Sequence, residues 1–216
     1  MTIVREVMAA IQTHGHCALA LAGGSTPRPV YERMSQPAIA ALIDWPRVAI
    51  YFGDERFVPP DDSNSNYRMA CEALLTHVPL LDGSIHRMEG ERRDPDAAAR
   101  AYERVLPARL DVLLLGVGAD GHTASIFPRS PVLDERIRRV RHVPAPATGP
   151  SRLTITPLVI DAAARVIVLV AGTAKADVVA RALEGPYVPG DIPAQLALSG
   201  TWIIDHAAAA RLRTSR

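Results

Sequence analysis

Asp120 and His122 stand two residues apart in Gly116-Val117-Gly118-Ala119-Asp120-Gly121-His122-Thr123, which follows the apolar run Asp111–Leu115. A neutral imidazole near its ordinary pKa of ~6.5 is the side chain best suited to take a proton from water at neutral pH. The plain alternative is a histidine satisfied by loop carbonyls. An Asp-Gly-His on glycine-flexible backbone at a strand end shifts the balance toward catalysis. The stretch also satisfies G-x-G-x-x-G, but as a decoy for a dinucleotide site. Pro128 interrupts the helix such a site needs, and Arg138–His142 offers bases where an acid ending the next strand belongs.

Other segments carry groups that could hold an anion. Leu21-Ala22-Gly23-Gly24-Ser25-Thr26-Pro27 joins an apolar strand to a helix beginning at Pro27. Its glycines let backbone amides face a ligand, and the helix N-terminus adds free N–H groups and partial positive charge. A tight turn in which Ser25 and Thr26 merely cap the helix is an equally good reading of these residues alone. Lysine and arginine together number 24, and Lys175 is the sole lysine. It follows a strand, in Ala171-Gly172-Thr173-Ala174-Lys175, where a compact ammonium could meet an oxyanion. Arg152, in Ser151-Arg152-Leu153-Thr154-Ile155-Thr156-Pro157, could fork onto a phosphate or lie on the surface. Asp54, Glu55 and Arg56 follow Gly53 at another strand's carboxyl end, where open α/β sheets place ligands; a solvated loop is the alternative.

Several chemistries lack support. There is no H-E-x-x-H and no G-x-S-x-G; His14 and His16 straddle Gly15 and could bind a metal only with further ligands that the sequence does not identify, and His77, His86, His142 and His206 show no metal spacing. Cys17 and Cys71 are too few for a disulfide framework and read as small buried hydrophobes.

The elements that must position these groups alternate between short apolar runs and helical patterns, which predicts parallel strands covered by helices. Strands are expected at Cys17–Ala22, Val48–Phe52, Val112–Leu115, Leu153–Ile155, Val166–Ala171 and Trp202–Ile204, with weaker candidates at Ile85–Met88 and Val140–Val143. Helices are expected at Val4–Thr13, Pro27–Met34, Tyr67–Thr76, Pro95–Val105, Pro157–Ala164, Ala174–Leu183 and Ala207–Leu212. Thr26, Asn66, Asp94 and Thr156 are placed to cap the helices they precede, and Pro144–Pro150 reads as a loop.

A chain of 216 residues with 48% hydrophobic and 22% charged residues fits an ordinary globular protein, here a single domain spanning 1–216. The net charge of +1 provides no basic field for nucleic acid or an anionic membrane, so an anionic ligand must be captured locally. Met1–His14 lacks the apolar stretch of a signal peptide, and no run reaches the ~18–20 residues needed to cross a bilayer. A cytoplasmic protein is expected.

Taken in order, LAGGSTP, YFGDERFVPP with SNSNY, LLLGVGADGHTASIFP, SRLTITP and AGTAK resemble the 6-phosphogluconolactonase family from Leu21 to about Asp205. The resemblance implies hydrolysis of 6-phospho-D-glucono-1,5-lactone to 6-phosphogluconate in the oxidative pentose phosphate pathway. It also implies a Rossmann-like, mainly parallel α/β sheet with helices on both faces, shared with glucosamine-6-phosphate deaminase and ribose-5-phosphate isomerase. Carried over by motif, Gly23, Gly24, Ser25, Thr26, Arg152 and Lys175 would bind the substrate phosphate. His122 would be the base, with Asp54, Arg56 and Asp120 around the lactone. No cofactor or metal is expected, and the partner is a phosphorylated sugar lactone met by a monomer or weak homodimer. Family members usually carry a further strand and a longer helix before the first glycine loop, so the sheet edge is where departure is expected.

Overall fold

The computed structural model describes residues 1–145 and 149–213. In chain order the elements are α1 (Thr2–His14), β1 (Cys17–Leu21), α2 (Pro27–Met34), α3 (Pro37–Ala40), β2 (Val48–Phe52), β3 (Asp54–Arg56), α4 (Asn66–Ala73) and α5 (Pro95–Val105). They continue with β4 (Val112–Gly116), β5 (Val140–Val143), β6 (Arg152–Ile155), α6 (Pro157–Ala162), β7 (Val166–Val170), α7 (Ala176–Glu184) and β8 (Thr201–Ile204).

The main sheet is parallel in the order β2-β1-β4-β7-β8. Its strands are apolar at nearly every position because both faces are covered. Alternate residues therefore enter different cores. Cys17, Leu19 and Leu21 of β1, with Val112 and Leu114 of β4, meet Val7 and Ile11 of α1, Tyr31 of α2 and Ala70 of α4. Ala18, Ala20, Leu113 and Leu115 point the other way, toward Ala98 and Tyr102 of α5, Val159 of α6 and Val179 of α7.

Two buried tyrosines fix the strand ends nearest the glycine loops. The Tyr31 hydroxyl accepts from the Ala22 amide and donates to the Ala22 carbonyl, both at 2.9 Å. From the opposite layer, Tyr102 does the same for Phe52, at 2.7 and 2.9 Å. Backbone groups that leave the ladder are thus satisfied inside the protein instead of by water.

The sequence expectations differ from the structure in definable ways. Leu153–Ile155 is not in the parallel sheet. As part of β6 it forms a second, antiparallel sheet in the order β3-β6-β5, and β3 itself was not expected as a strand. Three residues rich in charge carry no apolar alternation, so their pairing rests on the partner strand. Ile85–Met88 contributes one bridge, Ile50 to Ile85, and Ala207–Leu212 forms turns instead of a helix. There Asp205 accepts from the Ala208 and Gly172 amides, so the carboxylate ties two loops together. Asp94 caps α5 as expected, but Ser65 instead of Asn66 caps α4, and neither Thr26 nor Thr156 makes a side-chain cap. Cys17 is buried and Cys71 half-buried, and burial raises both thiols, Cys17 to about 12. The loop expected at Pro144–Pro150 lies partly outside the described residues. Among the described residues no helix is long and apolar enough to cross a membrane.

Candidate active site

Strand order reverses between β1 and β4: from β1 the chain proceeds outward to β2, and from β4 outward to β7 and β8. In an open parallel sheet the crevice beyond the carboxyl ends at such a reversal is the natural ligand site. A cleft opens there, lined by Ala22–Pro27 after β1, Gly53, Asp54 and Arg56 after β2, and Leu114–Gly118 with His122 and Ala124 at and after the end of β4. Arg152 of β6 and Lys175, which follows β7, complete it.

The loop after β1 presents unused donors. Gly24 has a φ of +100°, open to glycine without strain, and α2 begins at Pro27 with no side chain capping it. The amides of Gly24, Ser25 and Thr26 have no acceptor among the described residues. The capping alternative for Ser25 and Thr26 is therefore not what the loop does. The unfilled donors and the positive end of α2 belong to the stretch that lines the cleft.

Pairing of β3 with β6 sets Arg56 opposite Arg152 and Asp54 opposite Thr154. Like charges directly across a strand pair repel, and the Nε atoms of both arginines are buried without a partner. Burial lowers the Arg152 guanidinium's pKa, Asp54 opposing and Arg56 reinforcing that shift. Groups that accept hydrogen bonds, such as the oxygens of an anion, would satisfy donors of this kind. On the opposite side, burial lowers the Lys175 ammonium, with Asp120 acting against it.

Asp54 is 6% exposed and is held from two sides. Ser125 Oγ donates to its Oδ2 at 2.6 Å, and Asn66 Nδ2 donates to its carbonyl at 2.9 Å and its Oδ1 at 3.2 Å. Its distance to Arg152 Nη1 is 3.9 Å. Glu55 turns the other way. Its carboxylate accepts from the amides of Arg56, Asn66 and Tyr67 and from Ser65 Oγ, anchoring the start of α4. Burial pushes this carboxyl up, while the three amides pull it down.

Asp120 and His122 form a direct pair, Oδ1 to Nδ1 at 2.6 Å. That bond holds the Asp120 carboxyl well below the usual range, at about 2, so at neutral pH it accepts only and Nδ1 must carry the proton. Nε2 is then the ring nitrogen that Asp120 does not engage, on a residue that lines the cleft. The loop that shapes the pair closes on itself through Gly118 N–H to His122 carbonyl (2.8 Å) and Gly121 N–H to Gly118 carbonyl (3.0 Å). A side chain at Gly118 would collide with both partners, its Cβ falling 2.1 Å from His122 Nδ1 and 2.5 Å from Asp120 Oδ1. Glycine there allows the imidazole to approach, which explains a residue that in the sequence only completed a decoy.

Of the residues expected at the site, Gly23, Gly24, Ser25, Thr26, Asp54, Arg56, His122, Arg152 and Lys175 line the cleft, and Asp120 stands behind His122. The sequence reading missed Ser125, Asn66 and Phe127. Asn66 Oδ1 lies where a Cβ on Gly23 would sit, 1.9 Å away, so Gly23 is needed for close approach as much as for turning. The S-x-F spacing after the histidine was visible in the sequence, but the partners of Ser125 lie on β3 and β6 and carry no local signal. Among the described residues no group of three or more His, Cys, Asp or Glu could hold a metal ion.

A histidine–carboxylate pair and unfilled amide and guanidinium donors thus meet in one cleft at the switch point of a parallel α/β sheet. Residues 1–204 match the family model described as glucosamine-6-phosphate isomerases/6-phosphogluconolactonase, and the chain belongs to that family. The 6-phosphogluconolactonase of Mycobacterium tuberculosis is 37% identical over 227 residues, covering 97% of this chain and 91% of the relative. The solved 6-phosphogluconolactonase of Trypanosoma brucei superposes with a TM-score of 0.85 at 31% identity, covering 98% of this chain and 92% of that one. A monomeric glucosamine-6-phosphate deaminase shares the fold, with a TM-score of 0.82 at 23% identity over 97% of this chain and 94% of that one.

Proposed function

We infer that the chain is a 6-phosphogluconolactonase, hydrolysing 6-phospho-D-glucono-1,5-lactone to 6-phospho-D-gluconate in the oxidative pentose phosphate pathway. The observation that carries this reading is the Asp120–His122 pair, 2.6 Å apart, in a cleft whose other walls hold unsatisfied cationic and amide donors. His122 Nε2 takes a proton from water as the oxygen attacks the lactone carbonyl. The tetrahedral oxyanion falls to Arg56 or loop amides, a contribution often worth ~3–4 kcal/mol. The imidazolium then returns the proton to the ring oxygen as the C–O bond breaks. Gly24, Ser25 and Thr26 amides with Lys175 and Arg152 hold the phosphate, while Gly23 admits Asn66 behind them.

Aldose–ketose isomerisation or deamination is the rival chemistry. It calls for a further carboxylate soon after the histidine, and Thr123–Ser130 contains none. Asp54 is the sole carboxylate lining the cleft among the described residues, and Ser125 and Asn66 already engage it. In this reading residues 1–216 act as one domain in the cytoplasm, as a monomer or weak homodimer, with no nucleic-acid or membrane partner and no cofactor. The test is acid release from freshly generated lactone by the wild-type chain and by His122→Ala, with ammonia release from glucosamine 6-phosphate in parallel. Lactonase turnover that His122→Ala lowers by about two to four orders of magnitude supports the reading. Ammonia release without lactone hydrolysis overturns it.

A further inference from the structure

Phe127 does not line the cleft, yet its ring touches two groups that do. Its centroid is 4.7 Å from that of the His122 imidazole, the planes tilted by 48°. The Arg152 guanidinium carbon lies 5.6 Å from the same centroid, over the ring. Both are distances at which an aromatic face or edge orients its neighbour.

Neither neighbour is well fixed otherwise. Arg152 stands 3.9 Å from Asp54, beyond hydrogen-bond reach, has a buried Nε without a partner, and faces Arg56 across the strand pair. The π-face of Phe127 is thus an attractive contact for a cation otherwise set beside another cation. His122 is tethered at Nδ1 by Asp120, but one hydrogen bond leaves the imidazole free to swing about that bond. The ring of Phe127, 4.7 Å away centroid to centroid, supplies a second contact that would oppose that motion. Phe127 itself packs against the core that includes Leu153 and Ile155 of β6, so it transmits the position of a rigid element to the loop after β4.

We propose that Phe127 is a positioning residue: one aromatic ring, outside the cleft, sets the placement of the proton-accepting imidazole and of the anion-binding guanidinium together. The proposal rests on the lactonase reading for the roles of His122 and Arg152. A residue of similar bulk without a π-face should therefore impair both steps, binding through Arg152 and proton transfer through His122, while the core remains filled.

The experiment compares Phe127→Leu and Phe127→Tyr with the wild-type chain. Thermal unfolding sets aside any change in folding, and inorganic phosphate serves as a probe independent of turnover. Phe127→Leu is expected to raise KM for the phosphorylated lactone and the Kd for phosphate by about three- to thirtyfold, the range a partly buried cation–π contact spans. It should also lower kcat by about tenfold, and Phe127→Tyr should restore both. In an Arg152→Ala background, Phe127→Leu should no longer change the phosphate Kd and should still lower kcat. Equal KM, kcat and phosphate affinity in Phe127→Leu and wild type overturn the proposal, as does a loss in Leu and Tyr alike that tracks only the melting temperature. If the wild-type chain fails to hydrolyse the lactone, the lactonase reading falls. The phosphate arm still decides whether Phe127 orients Arg152, and unchanged affinity there overturns the proposal on its own.

Discussion

Gly118→Ala tests the geometry of the proposed base while leaving both Asp120 and His122 in the sequence. The added methyl would lie 2.1 Å from His122 Nδ1, 2.3 Å from His122 Cε1 and 2.5 Å from Asp120 Oδ1. Non-bonded carbon contacts rest at about 3.5–4.0 Å, so the imidazole must retreat by more than ~1 Å and its bond to Asp120 is lost. A misplacement of that size costs on the order of 10²-fold in rate, and complete loss of a general base costs ~10²–10⁴. The fall in kcat/KM should lie between those bounds and appear mostly in kcat. Folding should suffer little, because the His122 and Asp120 side chains are 29% and 51% exposed and can swing toward solvent. At this chain length ~1 kcal/mol moves the melting temperature by only ~2–4 °C. Initial rates of acid release and thermal scans on the same preparation measure both quantities. A Gly118→Ala enzyme within about threefold of wild-type kcat would refute the argument that the Asp120–His122 contact drives the reaction.

The other predictions separate binding, stability and proton linkage. Lys175→Ala should raise KM for the phosphorylated lactone by roughly 10–100-fold, as expected for loss of a charge-assisted bond to phosphate, and unchanged KM would place Lys175 outside the site. Tyr31→Phe leaves the Ala22 amide and carbonyl buried without partners, so urea unfolding should register a loss of about 1–3 kcal/mol; equal stability would mean water replaces the hydroxyl. Glu55→Gln replaces a carboxylate that accepts from three amides and a hydroxyl, and should cost roughly 2–3 kcal/mol by the same method. For Asp120 the folded carboxyl sits at about 2, below its ordinary 3.8, so its pairing stabilises the fold above that ordinary value and the benefit vanishes as pH falls through about 2. Wild-type stability minus that of Asp120→Asn should therefore shrink as pH falls from about 4 through about 2. Its size should stay under ~1 kcal/mol because the carboxylate is half exposed; a difference that grows on acidification would contradict the assignment.

The parallel sheet was legible because its strands are buried on both faces and read as unbroken apolar runs, as in Cys17–Leu21 and Val166–Val170. Most residues collected in the cleft were legible because they follow such a run, and a switch-point crevice gathers loops from neighbouring strand ends; Arg152, at the start of β6, is the exception. The small antiparallel sheet was not. Asp54–Arg56 has no apolar period, and only its register against Arg152–Thr154 makes it a strand. The same non-local pairing hid the approach of Arg56 to Arg152 and the bond from Ser125 to Asp54. Gly23 and Gly118 were visible as flexible positions, but their tighter constraint comes from Asn66 and His122 occupying the space a side chain would take. Thr26 and Thr156 show the converse, good capping residues left without a cap bond. The Thr156 hydroxyl donates instead to the Arg138 carbonyl.

The most direct test is the rate of acid release from freshly generated 6-phosphogluconolactone beside unphosphorylated gluconolactone, each corrected for spontaneous hydrolysis. Local capture of the phosphate together with proton transfer at His122 predicts strong acceleration of the phosphorylated lactone and far weaker acceleration of its unphosphorylated counterpart. Equal acceleration of the two would contradict the phosphate site, and no acceleration of either by folded protein would contradict the lactonase itself.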